Sequence, residues 1–264
     1  MDLGLKGKTA VVSGSTAGIG LAVATALASE GASVVVNGRT EARVAAAVRQ
    51  IREKAKDAQV RGVAADLGTA SGVETLLKEA PEADVLVNNL GIFEVKPFLE
   101  IPDADWLRFF EVNVLSGVRL TRYYLPRMQR KNWGRVIFIS SESAVHIPAE
   151  MIHYGMTKTA QLAVARGLAE SLAGTGITVN SILVGPTGSE GVGAFVQDLA
   201  RQQGITPAEV ERQFFEKMRP TSLLRRFEKP EEVAAVVTFV ASTQGAVING
   251  AAVRADGGVV KSVL

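Results

Sequence analysis

The chain has 264 residues, of which 47% are hydrophobic and 21% are charged, and its formal net charge is +2. This composition is typical of a globular protein with a sizeable core, and so small a net charge indicates no basic surface for nucleic acid. Because the chain contains no cysteine, disulfides, thiolate metal sites and cysteine nucleophiles are excluded.

Short apolar runs alternate along the chain with longer stretches of helical periodicity. The predicted strands span residues 9–13, 32–37, 59–65, 84–87, 133–139, 177–183 and 250–255, and the predicted helices span residues 21–28, 41–56, 103–130 and 150–173. Buried strands that alternate with helices form a parallel sheet with helices on both faces. No linker or repeat interrupts this alternation. We therefore predict an α/β fold, a doubly wound parallel sheet of about seven strands, in one domain over residues 1–264.

A glycine-rich turn joins the first predicted strand to the first predicted helix. It reads Gly14-Ser15-Thr16-Ala17-Gly18-Ile19-Gly20, with the spacing G-x-x-x-G-x-G. Glycines let the backbone turn tightly and approach a pyrophosphate, and the helix N-terminus offers unpaired N–H groups to phosphates. The turn predicts a dinucleotide site, although an ordinary strand-to-helix turn also needs glycines.

Polar residues lie close to the carboxyl ends of the predicted strands. They are Ser13, Asn37, Asp66, Asn88 and Ser141. In open parallel sheets, ligands bind outside the carboxyl ends of the strands. We expect the functional site along this edge.

Tyr154 and Lys158 lie four residues apart in a predicted helix, and Ser141 precedes Tyr154 by thirteen residues, at the end of the fifth predicted strand. Side chains four residues apart share a helix face. An ammonium group beside a phenol favours the phenolate and so lowers the pKa of the tyrosine. A neighbouring hydroxyl would hold a carbonyl oxygen against that phenol. The three residues predict acid–base chemistry on a carbonyl or alcohol.

The glycine spacing, Asn88-Asn89-Leu90-Gly91, Asn113, Ser141, Tyr154 and Lys158 together resemble the short-chain dehydrogenase/reductase family in its single-domain form. The resemblance extends over residues of about 7–258 and implies a Rossmann-like fold and hydride transfer between a nicotinamide cofactor and a carbonyl or alcohol. It implies that Ser141 binds the substrate oxygen and that Tyr154 transfers its proton. Lys158 would lower the pKa of Tyr154 and bond the nicotinamide ribose, and Asn113 would position a water for proton relay.

The same resemblance implies a set of cofactor-binding residues in the glycine-rich turn and at later strand ends. They are Gly14, Ser15, Thr16, Gly18, Ile19, Gly20, Arg39, Asp66, Leu67, Asn88, Gly91, Tyr154, Lys158, Gly185, Thr187 and Ser189. Three of these interpretations have structural alternatives. Asp66 would also serve as a helix N-cap, Asn88 as a turn residue, and the catalytic candidate Asn113 as a capping or bend-forming residue.

The end of the second predicted strand decides between NADP(H) and NAD(H). An acidic residue there would bind the adenosine ribose and repel a 2′-phosphate. The segment instead reads Asn37-Gly38-Arg39, and an arginine forks onto phosphate. We expect NADP(H) to be preferred, although Arg39 would also suit the role of a solvated loop arginine. Ala17 stands where some family members carry a second basic residue, so NAD(H) use stays open.

Substrate selection is expected after the sixth predicted strand. An insertion of about 187–226 contains one or two amphipathic helices over residues 194–219, and such a segment would fold over the site as a lid. The candidate pocket residues are mostly apolar: Glu94, Val95, Ile147, Pro148, Met151 and Phe195. They indicate a neutral, moderately hydrophobic ketone or alcohol, although the same side chains would also suit packing beneath a lid.

Two histidines are the remaining candidates for chemistry. His146 and His153 have no G-x-S-x-G motif and no third metal ligand nearby, so we interpret both as surface or pocket-lining residues. The leading function is an NADP(H)-dependent carbonyl reductase. The alternatives are an NAD-preferring alcohol, sugar or steroid dehydrogenase, a non-catalytic NADP-binding module, and a sugar-nucleotide epimerase or dehydratase.

Partners and location follow from features the sequence does not contain. The first residues lack the apolar core of a signal peptide, and no run of about 18 apolar residues follows. We expect a cytoplasmic protein with a small-molecule substrate and no nucleic-acid or membrane partner. The family resemblance implies a homotetramer.

Overall fold

A computed structural model describes residues 1–263, apart from the side chain of Phe195, and places one parallel sheet at the centre of the molecule. Its seven strands are β1 (Thr9–Val12), β2 (Ser33–Gly38), β3 (Val60–Ala64), β4 (Val85–Asn88), β5 (Gly134–Ile139), β6 (Ile177–Val184) and β7 (Ala252–Ala255). They lie in the order β3-β2-β1-β4-β5-β6-β7. The order reverses beside β1, so the carboxyl ends of β1 and β4 form the switch point where such sheets bind ligands.

Helices cover both faces of the sheet. They are α1 (Gly18–Ser29), α2 (Glu41–Lys54), α3 (Ala70–Glu79), α4 (Asp103–Phe110), α5 (Ser116–Lys131), α6 (Ile152–Ser171), α7 (Glu190–Gln203), α8 (Pro207–Lys217) and α9 (Pro230–Ala241). Within the described residues, none of them combines the length and the apolar character that a membrane span requires.

Alternation along the central strands produces two hydrophobic layers. Val12 and Val36 face one layer, whereas Val11, Val35 and Leu86 face the other. All eight residues of β6 are buried, including the polar Thr178, Asn180 and Ser181, as expected of a strand covered on both faces. The predicted doubly wound parallel sheet is confirmed.

The segment predicted to form one or two helices over residues 194–219 forms two, α7 and α8, which are separated at Gly204, where φ is +67°. Elsewhere the helices differ from the sequence prediction. The helix predicted over residues 103–130 is interrupted by a π-helical turn, Glu111–Leu115, between α4 and α5. Helices α3 and α9 were not predicted. α9 is nevertheless a substantial part of the core, because it packs along α1.

Candidate active site

The glycine-rich turn takes the backbone shape that its sequence predicts. Gly14 and Gly18 have φ values of +60° and +54°, a region that favours glycine. A Cβ at Gly20 would lie 2.5 Å from the Gly14 carbonyl oxygen. α1 begins immediately afterwards, and its N-cap, Ala17, offers no side chain to the first-turn N–H groups. The turn therefore leaves open a cradle of backbone donors suited to phosphate.

Buried polar side chains hold this turn in place. The Asn37 Oδ1 accepts from the Gly14 N–H at 3.1 Å, and its Nδ2 donates to the carbonyls of Val63 and Ala65. The buried Ser15 hydroxyl donates to the Val12 carbonyl at 2.7 Å and accepts from the Asn37 N–H. The Ser15 side chain is thus committed to the fold, which leaves its backbone for a cofactor.

Asn89 is a structural residue of the site that the sequence analysis did not select. Its Nδ2 donates to the carbonyls of Ser13 and Gly14, each at 3.0 Å. It therefore joins the turn after β4 to the turn after β1. Its neighbour Asn88 points elsewhere, since its Nδ2 donates to Thr121 on α5 at 3.2 Å and its side chain is buried. The only sequence signal for Asn89 was its place beside Asn88.

The third strand leads into a capped helix. Thr69, not Asp66, is the N-cap of α3, because its hydroxyl accepts from the Gly72 N–H. The Asp66 Oδ1 instead accepts from the Gly68 N–H at 3.0 Å, in a local turn. The alternative that Asp66 caps the helix is wrong. Leu67 is buried in the core, so any cofactor contact by Leu67 would come from its backbone.

Arg39 lies exposed just beyond β2. Among the described residues, its guanidinium has neither a hydrogen bond nor an ion-pair partner. Thr16 lies close by, because a Cβ at Gly38 would be 2.4 Å from the Thr16 Cγ2. Arg43, in the first turn of α2, pairs with Glu190 of α7 at 2.6 Å. A cation without a protein partner beside the phosphate cradle fits the 2′-phosphate of NADP.

Asn113 sits in the π-helical turn and is 1% exposed. Its Oδ1 accepts from the Ile92 N–H at 2.8 Å, and its Nδ2 donates to the Ile92 carbonyl and to the Thr157 hydroxyl. The Asn113 carbonyl accepts from Gln161 Nε2 at 2.6 Å. The extra residue of a π turn redirects backbone groups and is frequent at functional sites. Asn113 does not cap a helix, and its place in the π turn that interrupts the helix corresponds to the bend-forming alternative.

Lys158 is buried behind this turn. Its ammonium donates to the Ile139 carbonyl at 2.9 Å and to Gln161 Oε1 at 3.4 Å. Burial lowers the pKa of Lys158 to about 8. A Cβ at Gly91 would lie 3.4 Å from the Lys158 Nζ and 3.6 Å from the Asn113 Oδ1. A side chain at position 91 would therefore fill the space in front of the lysine, which suits a cofactor ribose.

Tyr154 and Ser141 meet at the substrate side of the site. The Lys158 Nζ lies 5.6 Å from the centroid of the Tyr154 ring. Burial raises the pKa of Tyr154 to about 12, and interaction with the Ser141 hydroxyl opposes that rise. We expected Lys158 to lower this pKa, but the net shift is upward because loss of hydration is the largest influence. The Ser141 oxygen also accepts from the Ser143 N–H at 3.1 Å.

The loop after β6 closes over the glycine-rich turn. The Thr187 hydroxyl donates to the Gly185 carbonyl at 3.0 Å. Ser189 is the N-cap of α7, since its hydroxyl accepts from the Val192 N–H. A Cβ at Gly18 would lie 3.2 Å from that of Ser189. The loop is therefore in contact with the glycine-rich turn at Ser189, and cofactor binding by Gly185, Thr187 and Ser189 stays a prediction.

The candidate pocket residues fall on two neighbouring segments. The Lys96 N–H donates to the Glu150 carbonyl at 3.0 Å, and this contact joins residues 93–97 to residues 147–151. Val95 and Ile147 are exposed, Pro148 is buried, and Met151 is half-buried. Glu94 pairs with Arg108 at 2.9 Å. The side chain of Phe195 lies outside the described part of the structure.

His153 is buried, contrary to the prediction from the sequence. We expected a surface or pocket-lining residue, but the imidazole is fully buried, with its ring centroid 4.1 Å from that of Phe109 and 6.0 Å from that of Trp106. The first turn of α6 packs on α4, and this contact buries the ring. His146 is exposed, as expected.

A family comparison matches this geometry. The model of the family described as short chain dehydrogenase matches residues 8–200. An oxidoreductase of Bacillus subtilis (strain 168), YvaG, is 50% identical over 263 residues and covers 100% of both chains. A D-beta-hydroxybutyrate dehydrogenase of Cupriavidus necator is 33% identical over 96% of this chain and 98% of its own.

Solved structures agree with the sequence relatives. The structure of L-sorbose reductase from Gluconobacter frateurii, complexed with NADPH and L-sorbose, superimposes with a TM-score of 0.94 at 31% identity and covers 100% of both chains. The relatives of this chain are named dehydrogenases and reductases. The chain itself has a seven-stranded parallel sheet, a glycine-rich turn and the side chains of Ser141, Tyr154 and Lys158. The chain belongs to the short-chain dehydrogenase/reductase family and is an NAD(P)-dependent oxidoreductase acting on alcohol or carbonyl groups.

Proposed function

We propose that the protein is an NADP(H)-dependent reductase that converts a ketone or aldehyde carbonyl to an alcohol, with Tyr154 as the general acid. The observation that carries this proposal is the placement of the Ser141 hydroxyl beside Tyr154, with the Lys158 Nζ 5.6 Å from the centroid of the Tyr154 ring. A protonated phenol in this place can donate its proton to a carbonyl oxygen held by Ser141. Reduction is the direction that needs a donor at this position.

Each of four residues has its own role in the proposed reaction. Ser141 binds the substrate oxygen and stabilises the charge that develops there. Tyr154 donates its proton to that oxygen. Lys158, fixed by Ile139 and Gln161, places a cationic group on the cofactor side of the tyrosine. Asn113 bonds the Ile92 backbone from the π turn. It therefore fixes the backbone at the place where a water would relay the proton.

The residues present fit a nicotinamide cofactor. The glycine-rich turn would hold the pyrophosphate, Arg39 the 2′-phosphate, and the space in front of Gly91 and Lys158 the ribose. When bound, NADPH supplies the hydride. The free guanidinium of Arg39 and the absence of an acidic residue at the end of β2 support a preference for NADP(H).

Three further proposals concern the domain organisation, a substrate lid, and the location and assembly of the protein. We propose that residues 1–264 form one domain, that residues 187–226 act as a substrate lid, and that the protein works as a cytoplasmic homotetramer. The support for the lid is the position of α7 and α8 directly after β6, with Ser189 against the glycine-rich turn.

The test is turnover of Tyr154→Phe. We expect kcat for carbonyl reduction to fall by about 10² to 10⁴, because the proton donor is lost while the ring is kept. Oxidation of NADPH and of NADH, followed by absorbance with a carbonyl panel, measures this loss. Binding of NADPH, followed by fluorescence titration, should change by less than about threefold.

Tyr123→Phe is the matched control, because Tyr123 lies on α5 and also loses only a hydroxyl. Its activity should equal that of the wild type. If Tyr154→Phe retains wild-type turnover, Tyr154 is not the acid. NADPH binding with no turnover of any carbonyl by the wild type would favour the non-catalytic binding module.

A further inference from the structure

Phe93 is an exposed aromatic residue beside the candidate acid Tyr154. The centroids of the two rings are 6.4 Å apart and the ring planes meet at 70°, which is the edge-to-face geometry that aromatic pairs favour. Phe93 nevertheless remains 56% exposed, and Tyr154 is half-buried. The pair therefore presents an apolar surface, open to solvent, next to the group that would transfer the proton. The sequence analysis did not select Phe93.

The backbone on both sides of Phe93 is fixed. Asn113 bonds both polar groups of the Ile92 backbone, since its Oδ1 accepts from the N–H at 2.8 Å and its Nδ2 donates to the carbonyl at 3.0 Å. Three residues beyond Phe93, the Lys96 N–H donates to the Glu150 carbonyl at 3.0 Å. A single exposed apolar side chain is ordinary, but one anchored beside the reacting group indicates a surface for a ligand.

Ile147 adds to this apolar surface from the neighbouring segment, residues 147–151. A Cβ at Gly155 would lie 2.7 Å from the Ile147 Cγ2, so Ile147 covers the residue that follows Tyr154. Ile147 is itself exposed. Apolar side chains therefore approach Tyr154 from two different segments, and both leave part of their surface in contact with water.

Cations that contact these two segments are already paired with carboxylates. The ion pairs are Lys96 with Asp105 at 2.5 Å, Arg108 with Glu94 at 2.9 Å, and Arg219 with Glu142 at 2.8 Å and with Glu150 at 3.2 Å. An anionic group of a substrate would have to displace a carboxylate to reach one of these cations. An uncharged group has no such cost, so the charges here favour an uncharged substrate.

We propose that Phe93, together with Ile147, forms an apolar subsite for the larger substituent of the substrate carbonyl, and that the substrate is an uncharged ketone or aldehyde with an alkyl or aryl substituent. The proposal rests on the proposed reductase function. An apolar group that packs on an exposed ring is stabilised in proportion to the area that both remove from water. Phe93 thus selects the substrate, whereas Ser141 and Tyr154 act on the carbonyl oxygen.

The test measures how kcat/KM with NADPH depends on chain length in the 2-alkanones from 2-butanone to 2-heptanone. For the wild type, kcat/KM should rise about twofold to fourfold with each added methylene, because each one is removed from water. In Phe93→Ala the rise should fall below about 1.5-fold per methylene. Phe93→Leu, which keeps an apolar side chain, should restore most of it. An equal loss on every ketone, with the dependence on length unchanged, would overturn the proposal, since Phe93 would then only position Tyr154.

Phe98→Ala is the matched control. Phe98 is 57% exposed and also makes an edge-to-face contact, but with Trp106, at 6.3 Å between centroids. This variant should keep the wild-type dependence on chain length. If it loses that dependence as Phe93→Ala does, the effect belongs to the whole segment and the proposal is wrong. A wild type whose kcat/KM does not rise with length also overturns it, because the lid or a second copy of the chain would then cover Phe93.

A charged analogue tests the uncharged class of substrate. The methyl ketone 5-oxohexanoate carries a carboxylate at the end of its chain. Its kcat/KM should be at least about tenfold below that of 2-heptanone, because the carboxylate would lose its hydration without gaining a free cation. Equal kcat/KM values for the two compounds would contradict the assignment.

A binding measurement separates this inference from the proposed function. Ketones titrated in the presence of NADP⁺ cannot be reduced, because the oxidised cofactor has no hydride to give. Isothermal titration calorimetry should show tighter binding of 2-heptanone than of 2-butanone by the wild type, and Phe93→Ala should reduce this advantage about fivefold or more. That result supports the subsite even if no carbonyl is reduced. Equal binding of the two ketones by the wild type overturns the subsite, whereas loss of reduction alone overturns only the reductase.

Discussion

Arg39 shows how one residue can set cofactor choice. β2 ends at Asn37 and Gly38, and the Asn37 side chain is fully used in holding the glycine-rich turn. That side chain is thus unavailable for the adenosine ribose. The exposed Arg39 beside it has no protein partner among the described residues, so its charge remains free for a phosphate.

We predict that Arg39→Asp reverses the preference between NADPH and NADH. The substitution removes the phosphate contact and adds a repulsive charge, so kcat/KM with NADPH should fall at least about tenfold. The kcat/KM with NADH should stay unchanged or rise. Steady-state kinetics with each cofactor and one carbonyl substrate measure both numbers.

The control for this prediction is Arg49→Ala. Arg49 is an exposed arginine farther along α2, and its loss changes the net charge without touching the phosphate cradle. If the two variants lower NADPH use equally, the effect is one of overall charge. Arg39 would then have no specific role in cofactor choice.

At the scale of elements, the loop after β6 depends on a buried carboxyl group. Glu228 pairs with the loop through its backbone, since its N–H donates to the Pro186 carbonyl and its carbonyl accepts from the Gly188 N–H. Its side chain is 5% exposed, and neither carboxyl oxygen has a hydrogen bond of good geometry in the described part of the chain. Burial, and after it the charge of Asp256, raises the pKa of Glu228 to about 7, and interaction with the Gly185 N–H only partly opposes this rise.

We predict that Glu228→Gln stabilises the protein at about pH 8 by about 1 to 3 kcal/mol. The folded-state pKa of about 7 lies above the ordinary value of 4.5, so the folded protein binds more protons than the unfolded chain between these values. The stability that Glu228 contributes is therefore fully present below about pH 4.5 and is lost as the pH rises through about 7. Urea unfolding of both proteins at about pH 5 and pH 8 measures the difference, which should nearly vanish at the lower pH.

Glu231→Gln serves as the comparison, because Glu231 is exposed on the first turn of α9. Its effect should be small and equal at the two pH values. Should Glu228→Gln prove less stable than the wild type at about pH 8, the ionised carboxylate would have a stabilising partner, and the prediction would fail.

For the whole molecule, the sheet has one edge that suits assembly. β7 is the last strand, and Ala252 and Arg254 are exposed along it. Edge strands present unpaired backbone groups that another chain can cover. We predict a homotetramer that uses this edge, with four times the protomer mass in multi-angle light scattering. Ala252→Lys should shift the protein to smaller species, because like charges would then meet across a symmetric contact.

Ala45→Lys on the exposed face of α2 is the matched substitution. It should leave the mass unchanged. A tetramer that survives Ala252→Lys would place the interface on another surface, and a monomeric wild type would exclude the assembly altogether.

Patterns of short range determined much of this protein from sequence. The alternation of apolar runs predicted every strand of the sheet, because buried parallel strands need continuous apolar residues. The glycine spacing predicted the turn at Gly14 and Gly18, because a positive φ favours glycine. The four-residue spacing of Tyr154 and Lys158 placed both on one helix face.

Only the tertiary structure decided the features that depend on contacts between distant residues. Arg219 meets Glu142 across 77 residues of sequence, and Asn89 reaches Gly14 across 75, so no local periodicity reports either contact. His153 is buried because α4 packs on α6, and the pKa of Tyr154 rises because burial outweighs the charges around it. Local sequence fixes which backbone shapes are available, whereas hydration and hydrogen-bond partners are set by what the fold places alongside each side chain.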